Sequence, residues 1–548
     1  MKEVLTSRLF AKRILYTVCF IVLNAVDFVC STQNGDISRT AANATGLALL
    51  FIIASQYPVR DLLTPLNYIW SGLCMAVIAA AVASGRDSIM HMYVWAFVMA
   101  VINVWWIFIY GKYLAVRFWR ERKQAQDWWR RPGLTGWMWI LMTALMTFSR
   151  SGRVWPIWFL AMFGMFYVTQ YSEKDRNALM DGMVDGTIIS FFMLQIFAYG
   201  FRPYDVVRYI GAFSNSNITA LHYLLVYSMV LFKLHLLHQR EAKKGWKLFY
   251  FVGACGLLGF MFLTMGRTAW VTAFLVTVLY GVFIVRQIWR KKWSAVLGRF
   301  LALGMTAVIL FPAVFATVRW LPAVLHHPIW FLDEYSVDKV HSFDPPDSWK
   351  YIEIDEFLET VLGRIWRTFQ ISRARDPFLL VAQASEEEQE IIELVGPEGM
   401  DRALNIRFSI YKTFLENLNL LGHSPQEGHY HIEDSDYMVW HAHNLWLQVA
   451  YYYGIPTGIL FLAMTALLLK KHYRNMKTHT DNGYAVIPFF LCVLFFCYGT
   501  MEMVWNIGQM VLVSFFVIQH PQIVRSADEQ CIESAVEAPA ATGGRESA

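Results

Sequence analysis

Residues 217–268 read NITALHYLLVYSMVLFKLHLLHQREAKKGWKLFYFVGACGLLGFMFLTMGRT: an apolar run, a basic break (HQREAKKGWK), a second apolar run and a turn carrying one arginine. Each run is long enough to cross about 30 Å of hydrocarbon at about 1.5 Å per residue. In lipid such runs must be helices, because no water is present to satisfy the backbone. The pattern extends outward over most of the chain. Spans are predicted near 14–30, 42–57, 66–83, 89–110, 134–148, 154–170, 180–199, 217–236, 248–265, 267–285, 298–318, 444–469, 484–500 and 504–519. The expected fold is an all-α polytopic integral membrane protein with about 14 transmembrane helices. Composition agrees: of 548 residues, 56% are hydrophobic and only 16% charged, far from the soluble average.

Short cytoplasmic loops collect Lys and Arg. With the amino terminus (Lys2, Arg8, Lys12, Arg13) inside, fourteen crossings also place KYLAVRFWRERKQAQDWWRRP, EKDR, HQREAKKGWK, RQIWRKKW and KKHYRNMK inside. Every strongly basic short loop then falls on one side, and both termini are cytoplasmic. The net charge of +5 comes from these clusters and from no basic domain, so no nucleic-acid partner is expected. The seven cysteines show no metal spacing and imply no disulfide framework. The basic start lacks a small-residue cleavage site and reads as an uncleaved first span.

The expected organisation is membrane helices over 1–318, a long external loop over 319–443, membrane helices over 444–520 and a disordered cytoplasmic tail over 521–548. From Arg319 to His441 the loop holds ten Lys or Arg against twenty-two Asp or Glu, an acidic balance that reads as solvated surface. Within it, 399–422 predicts an amphipathic helix with Leu404, Ile406, Ile410, Phe414, Leu418 and Leu421 on its apolar face, ending at Gly422. Three polar clusters share the external side. His441, His443 and Asn444 stand at the predicted mouth of the twelfth span. TMGRTAW at 264–270 puts Arg267 near membrane depth, where an arginine is costly unless paired or hydrated. GAFSNSN at 211–217 puts Asn215 and Asn217 before the eighth span.

A GRTAW-type turn, a long external loop, an Arg-x-x-x-aromatic step at Arg407 and Tyr411, the LLGH of 420–423 and HNLWLQVAYYYG at 443–454 follow one another in that order. Over roughly Gly211 to Gly458 the chain resembles the O-antigen ligase and O-antigen polymerase superfamily. Gly266 stands where the family usually has a serine before the arginine, and Asn-Ser-Asn replaces a commoner Asn-Pro-Asn. The resemblance implies a bacterial enzyme of the cytoplasmic (inner) membrane. It would transfer a glycan from undecaprenyl diphosphate, on the outer face, to a hydroxyl of a glycan, lipid or protein acceptor. His443 fits a general base, since an imidazole of ordinary pKa near 6.5 can accept the hydroxyl proton. Arg267 and Arg407 fit the diphosphate, because planar guanidinium groups bind phosphate oxygens bidentately. Asn215, Asn217 and Asn444 are candidate substrate contacts. Neither a metal nor another cofactor is required by this scheme, and a single displacement would invert the anomeric centre.

Each residue also has a plainer reading. Arg267 can be a headgroup anchor, Arg407 a solvated helix residue, Asn215 and Asn444 helix caps, and His443 an interfacial residue beside a cap. External Arg150, Arg153, Arg202 and Arg208 read as headgroup contacts. The histidines at 423, 429, 431, 441 and 443 invite a zinc site, but no recognisable ligand spacing supports one. Two rival functions are a transporter or flippase for lipid-linked glycan or another anionic envelope precursor, and a non-catalytic scaffold. Against the first stands the lack of paired half-sequences with matching broken spans.

Overall fold

The computed structural model describes residues 8–32, 36–54, 64–84, 132–152, 154–169, 173–199, 208–213, 215–324, 410–424, 441–480, 482–502 and 509–519. It also describes isolated positions at 97–112, 171, 204–205, 358–363, 430–431, 438–439 and 504. Nearly all of them are helical. In chain order these are α1 (Arg8–Thr32), α2 (Asp36–Ala54), α3 (Pro65–Ser84), α4 (Leu134–Phe148), α5 (Val154–Met162), α6 (Glu173–Ala198) and α7 (Ser216–Gln239). There follow α8 (Lys244–Leu263), α9 (Arg267–Leu279), α10 (Trp293–Val324), α11 (Leu445–Tyr453), α12 (Ile455–Thr478), α13 (Val486–Gly499) and α14 (Met510–Val517). Wider π-helical turns continue α5 over Phe163–Val168 and α9 over Tyr280–Ile288.

Six helical segments among the described residues are long and apolar enough to cross a membrane: α6, α7, α8, α9 with its π-helical end, most of α10, and α12. Pro65–Ala81, Leu134–Phe148, Trp155–Val168 and Gly483–Gly499 are shorter apolar helices. Burial grades them. In α7, 89% of the most apolar window is buried, against 17% in α10, so α7 is the central helix of the six and α10 leaves an apolar face uncovered. A helix hydrophobic all round, as α7 is, belongs in such a centre. Most of the predicted external loop, the tail 521–548 and Arg407 lie outside the described residues.

Close packing is allowed by small residues. Gly182 and Gly186 of α6 lie four apart, on the face touching α1. A Cβ on Gly182 would meet Tyr16 Cβ at 2.5 Å, and one on Gly186 would meet Phe20 Cβ at 2.6 Å. The spacing is the small-xxx-small pattern that lets membrane helices approach. At the Lys12 end of this contact the charges pair. Lys12 reaches Asp175 at 2.5 Å, Arg13 reaches Asp185 at 2.5 Å and Asp181 at 3.4 Å, and Lys233 of α7 pairs with Asp185. Arg240 lies 3.0 Å from Asp181, whose carboxylate also accepts from the Tyr484 hydroxyl at 2.9 Å. These clusters, read from sequence as signs of topology, therefore also join α1, α6, α7 and the turn leading into α13.

One predicted span is corrected. The run 444–469 is two helices, not one, broken at Gly454 with φ +93°. A Cβ on Gly458 would sit 2.4 Å from Ala450 Cβ, which is impossible along a continuous helix, so α11 folds back on α12. The helix long and apolar enough to cross starts at Ile455. The nine residues of α11 rise only about 14 Å and cannot span. The predicted amphipathic segment is helical over 410–416 and stops short of Gly422, which adopts φ +76°. Its Ile410 and Phe414 pack with Ala442 and Tyr451, docking it on α11.

Candidate functional site

Asn444 caps α11. Its side-chain oxygen accepts from Leu447 N at 3.0 Å, and its Nδ2 donates to the Thr500 carbonyl at 2.9 Å, beyond the end of α13. The preceding residue, His443, takes the left-handed conformation with φ +46°, which L-residues adopt only at a cost. Its neighbours hold it there. Tyr411 OH donates to the His443 carbonyl at 3.3 Å, and Ala442 N donates to Gln448 Oε1 at 2.5 Å. His443 Nδ1 lies 3.1 Å from Glu502 Oε2, with the imidazole side chain 21% exposed and the carboxylate 9%. With Nδ1–H donated to Glu502, Nε2 is left as the proton acceptor.

A helix continued back through this stretch would point His441 away from His443. The stretch is not helical, and the two rings are 4.2 Å apart. Burial and the neighbouring His443 push the His441 pKa down to about 4, with Glu502 acting in the opposite direction. His441 is therefore neutral near pH 7, a packing partner of the His443 ring.

The other predicted clusters meet this one through contacts distant in sequence. Asn215 caps α7, its side chain accepting from Asn217 N at 2.7 Å. The Asn217 carbonyl accepts from Tyr498 OH at 2.8 Å, one turn of α13 before Glu502. The Asn217 side-chain oxygen accepts from Arg208 Nη2 at 2.7 Å, and Arg208 Nε donates to the Thr264 carbonyl at 3.1 Å. Arg208 comes from a two-stranded hairpin, β1 (Tyr204–Asp205) with β2 (Arg208–Tyr209), seated by the buried Tyr209 hydroxyl, which accepts from Gln195. Thr264 leads through Gly266 to Arg267, the exposed first residue of α9. Gly266 is fixed by packing, since a Cβ there would lie 2.7 Å from Ala220 Cβ on α7.

The amino-terminal ends of α7 and α11 thus meet the 498–502 turn, and that of α9 packs against α7 through Gly266 and Ala220. Helix amino termini favour anions, and Arg208 and Arg267 add full positive charges. Of the predicted site residues, Asn217 meets the 498–502 turn through Tyr498, and His443 and Asn444 meet it through Glu502 and Thr500; Asn215 and Arg267 stand at the starts of α7 and α9, and Arg407 lies outside the described residues. Asn215 and Asn444 are spent on caps, as their plainer reading had it. His423 stacks on Tyr451 with centroids 4.0 Å apart and bonds to the Tyr451 carbonyl. Among the described residues no group of three or more His, Cys, Asp or Glu side chains is arranged to hold a metal.

Sequence reading missed Glu502 and Tyr498, and it placed Arg208 among headgroup contacts. A signal for Glu502 existed: it is an acid between two apolar runs, in TMEMVW at 500–505, where an ionisable group is expensive unless it serves a site. No protein-family model, curated protein or solved structure matches the chain.

Proposed function

We propose that this protein is a glycosyltransferase of the O-antigen ligase and polymerase type, moving a glycan from undecaprenyl diphosphate to an acceptor hydroxyl without a metal. The proposal includes a fourteen-span topology in a bacterial cytoplasmic membrane, with both termini cytoplasmic and the His443 end of the bundle outward. The observation that carries it is the His443–Glu502 pair, with His443 held in a strained backbone at the amino terminus of α11. The motif order described above supports the same reading.

In the proposed reaction the acceptor O–H gives its proton to His443 Nε2, and its oxygen forms the new bond to the anomeric carbon. The bond from that carbon to the diphosphate oxygen breaks, its electron pair leaving on undecaprenyl diphosphate. Glu502 holds the imidazole in the tautomer that can accept the proton and stabilises the imidazolium that forms. Arg267 and Arg407 receive the growing negative charge of the leaving group. Arg208, braced between Thr264 and Asn217, sets the position of the turn that carries Arg267.

The test is a reconstitution with undecaprenyl-diphosphate-linked glycan and a panel of glycan, lipid and protein acceptors. The expected result is release of undecaprenyl diphosphate together with a glycosylated acceptor. Movement of intact donor across the bilayer without bond cleavage would replace the transferase reading by the flippase reading. The paired charges around Asp181 are what that alternative would build on, and each of them already has a partner.

A further inference from the structure

At the end of the bundle opposite His443, α7, α8, α10 and the π-helical end of α9 enclose a cavity of about 380 Å³. That volume is within the range of ligand pockets. Its body is apolar, with Leu231, Phe251, Val285, Val296, Phe300 and Leu303 among the lining. Its rim is basic: Lys247 and Arg299 line it beside His238, no Asp or Glu does, and Lys291 acts electrostatically on the same histidine. Trp289 forms the floor of the rim, stacked on His238 at 4.0 Å with the Arg299 guanidinium 5.5 Å from its ring. The basic loops HQREAKKGWK and RQIWRKKW, which in the sequence serve to orient the chain, supply Lys247 and Lys291, and α10 supplies Arg299.

The walls belong to the perimeter. Only 33% of the apolar window of α8 and 17% of that of α10 is buried, and Leu248, Leu297 and Leu301 are about 60% exposed. The π-helical widening of α9 and the absence of a side chain at Gly281 shape the space. A Cβ there would fall 2.5 Å from the Phe300 ring. An apolar slot open to lipid with cations at its headgroup-level end fits one ligand chemistry. We infer that this cavity binds an anionic phospholipid, with an acyl chain among Phe251, Val296 and Leu303 and its phosphate at Lys247 and Arg299. A zwitterionic lipid would bring an ammonium group to a rim without a carboxylate. A free phosphate would leave the apolar walls unused. Basic pockets between membrane helices recognise such headgroups.

The test uses the full chain purified in detergent, with native mass spectrometry after exchange into defined lipid. Phosphatidylglycerol should be retained at least ten-fold over phosphatidylcholine, and Lys247→Gln/Arg299→Gln should abolish the preference. Equal retention of the two lipids, or an unchanged preference in a variant that remains monodisperse, would overturn the inference. So would glycerol phosphate competing as effectively as the lipid. Should the double variant fail to fold, phosphatidylglycerol with a photoactivatable acyl chain decides on the wild-type protein. Labelling of peptides 248–251 and 296–303 supports the site, and labelling confined to other peptides rejects it. These readouts involve neither donor nor acceptor, so they stand or fall separately from the transferase reading.

Discussion

A histidine held at φ +46° separates two roles that a single alanine substitution would merge. His443→Ala and His443→Gly both remove the ring, and both should lower transfer by about 100-fold or more, the scale of general-base loss. Glycine alone relieves the left-handed backbone, so the glycine variant should unfold about 1 kcal/mol less readily than the alanine variant. Normal turnover by either variant in purified enzyme would remove His443 from the chemistry. Glu502→Gln should retain part of the activity, because an amide oxygen can still accept from Nδ1–H, while Glu502→Ala should approach the loss seen at His443. Equal, small effects of both would reduce Glu502 to packing. His441 bears on pH. Its folded pKa of about 4 lies below its ordinary value near 6.5, so the folded state binds fewer protons between those limits. Its contribution to stability is complete above about pH 6.5 and declines as pH falls toward 4. His441→Gln should flatten this part of the wild-type stability curve in a detergent melt, and an unaltered slope would exclude the effect. At this scale the chain was legible where residues are neighbours: Asn215 and Asn444 read as caps, and His443 as the residue beside one. Glu502 is 59 positions from His443, and Tyr498 is 281 from Asn217, so no local spacing could join them.

Among the elements, α11 and α12 show how composition misleads. Tyr453, Gly454, Ile455 and Pro456 contain both halves of a helix break, a glycine after one helix and a proline at the start of the next. The apolar character runs through them unbroken, and hydropathy alone reads one span. Packing then fixes the break. A Cβ on Gly454 would lie 2.1 Å from the Leu420 carbonyl oxygen, and one on Gly422 would lie 2.1 Å from the Tyr452 carbonyl oxygen. Both glycines also have positive φ. Gly454→Ala should therefore destabilise the protein by more than about 1 kcal/mol and reduce transfer, with His443 itself unchanged. A variant with wild-type melting and turnover would show that the turn can yield. The α1–α6 contact was more accessible to reading, since Gly182 and Gly186 carry the four-residue spacing openly.

For the whole molecule, orientation and end-to-end charge can be tested independently. A cysteine introduced at Glu387 should react with an impermeant reagent in intact cells, and one at Lys291 only after permeabilisation. The reverse pattern would invert the proposed topology and remove the outward-facing reaction. At the opposite end, Asp181 contacts Arg13, Arg240 and Tyr484. Asp181→Asn removes the counter-charge of Arg240, while Arg13 keeps Asp185, and because Arg240 is 40% exposed the change should cost about 1 kcal/mol. Unfolding in detergent measures this, and an unchanged transition would mean that solvent supplies the missing charge. The six long helices were visible in hydropathy, because that signal accumulates within each segment. Their placement, with α7 central and α10 outermost, depends on which face meets lipid and which meets protein.

The fold-back at Gly454 also frees the site from the dimensions of the membrane around it. The height of His443 is set by the Thr500 carbonyl, Glu502 and the cap at Asn444, not by the depth at which an apolar helix enters hydrocarbon. A thicker or thinner bilayer would be met by tilt of α7, α10 and α12, the usual response to hydrophobic mismatch. The short α11 would ride on the end of α13 as one piece.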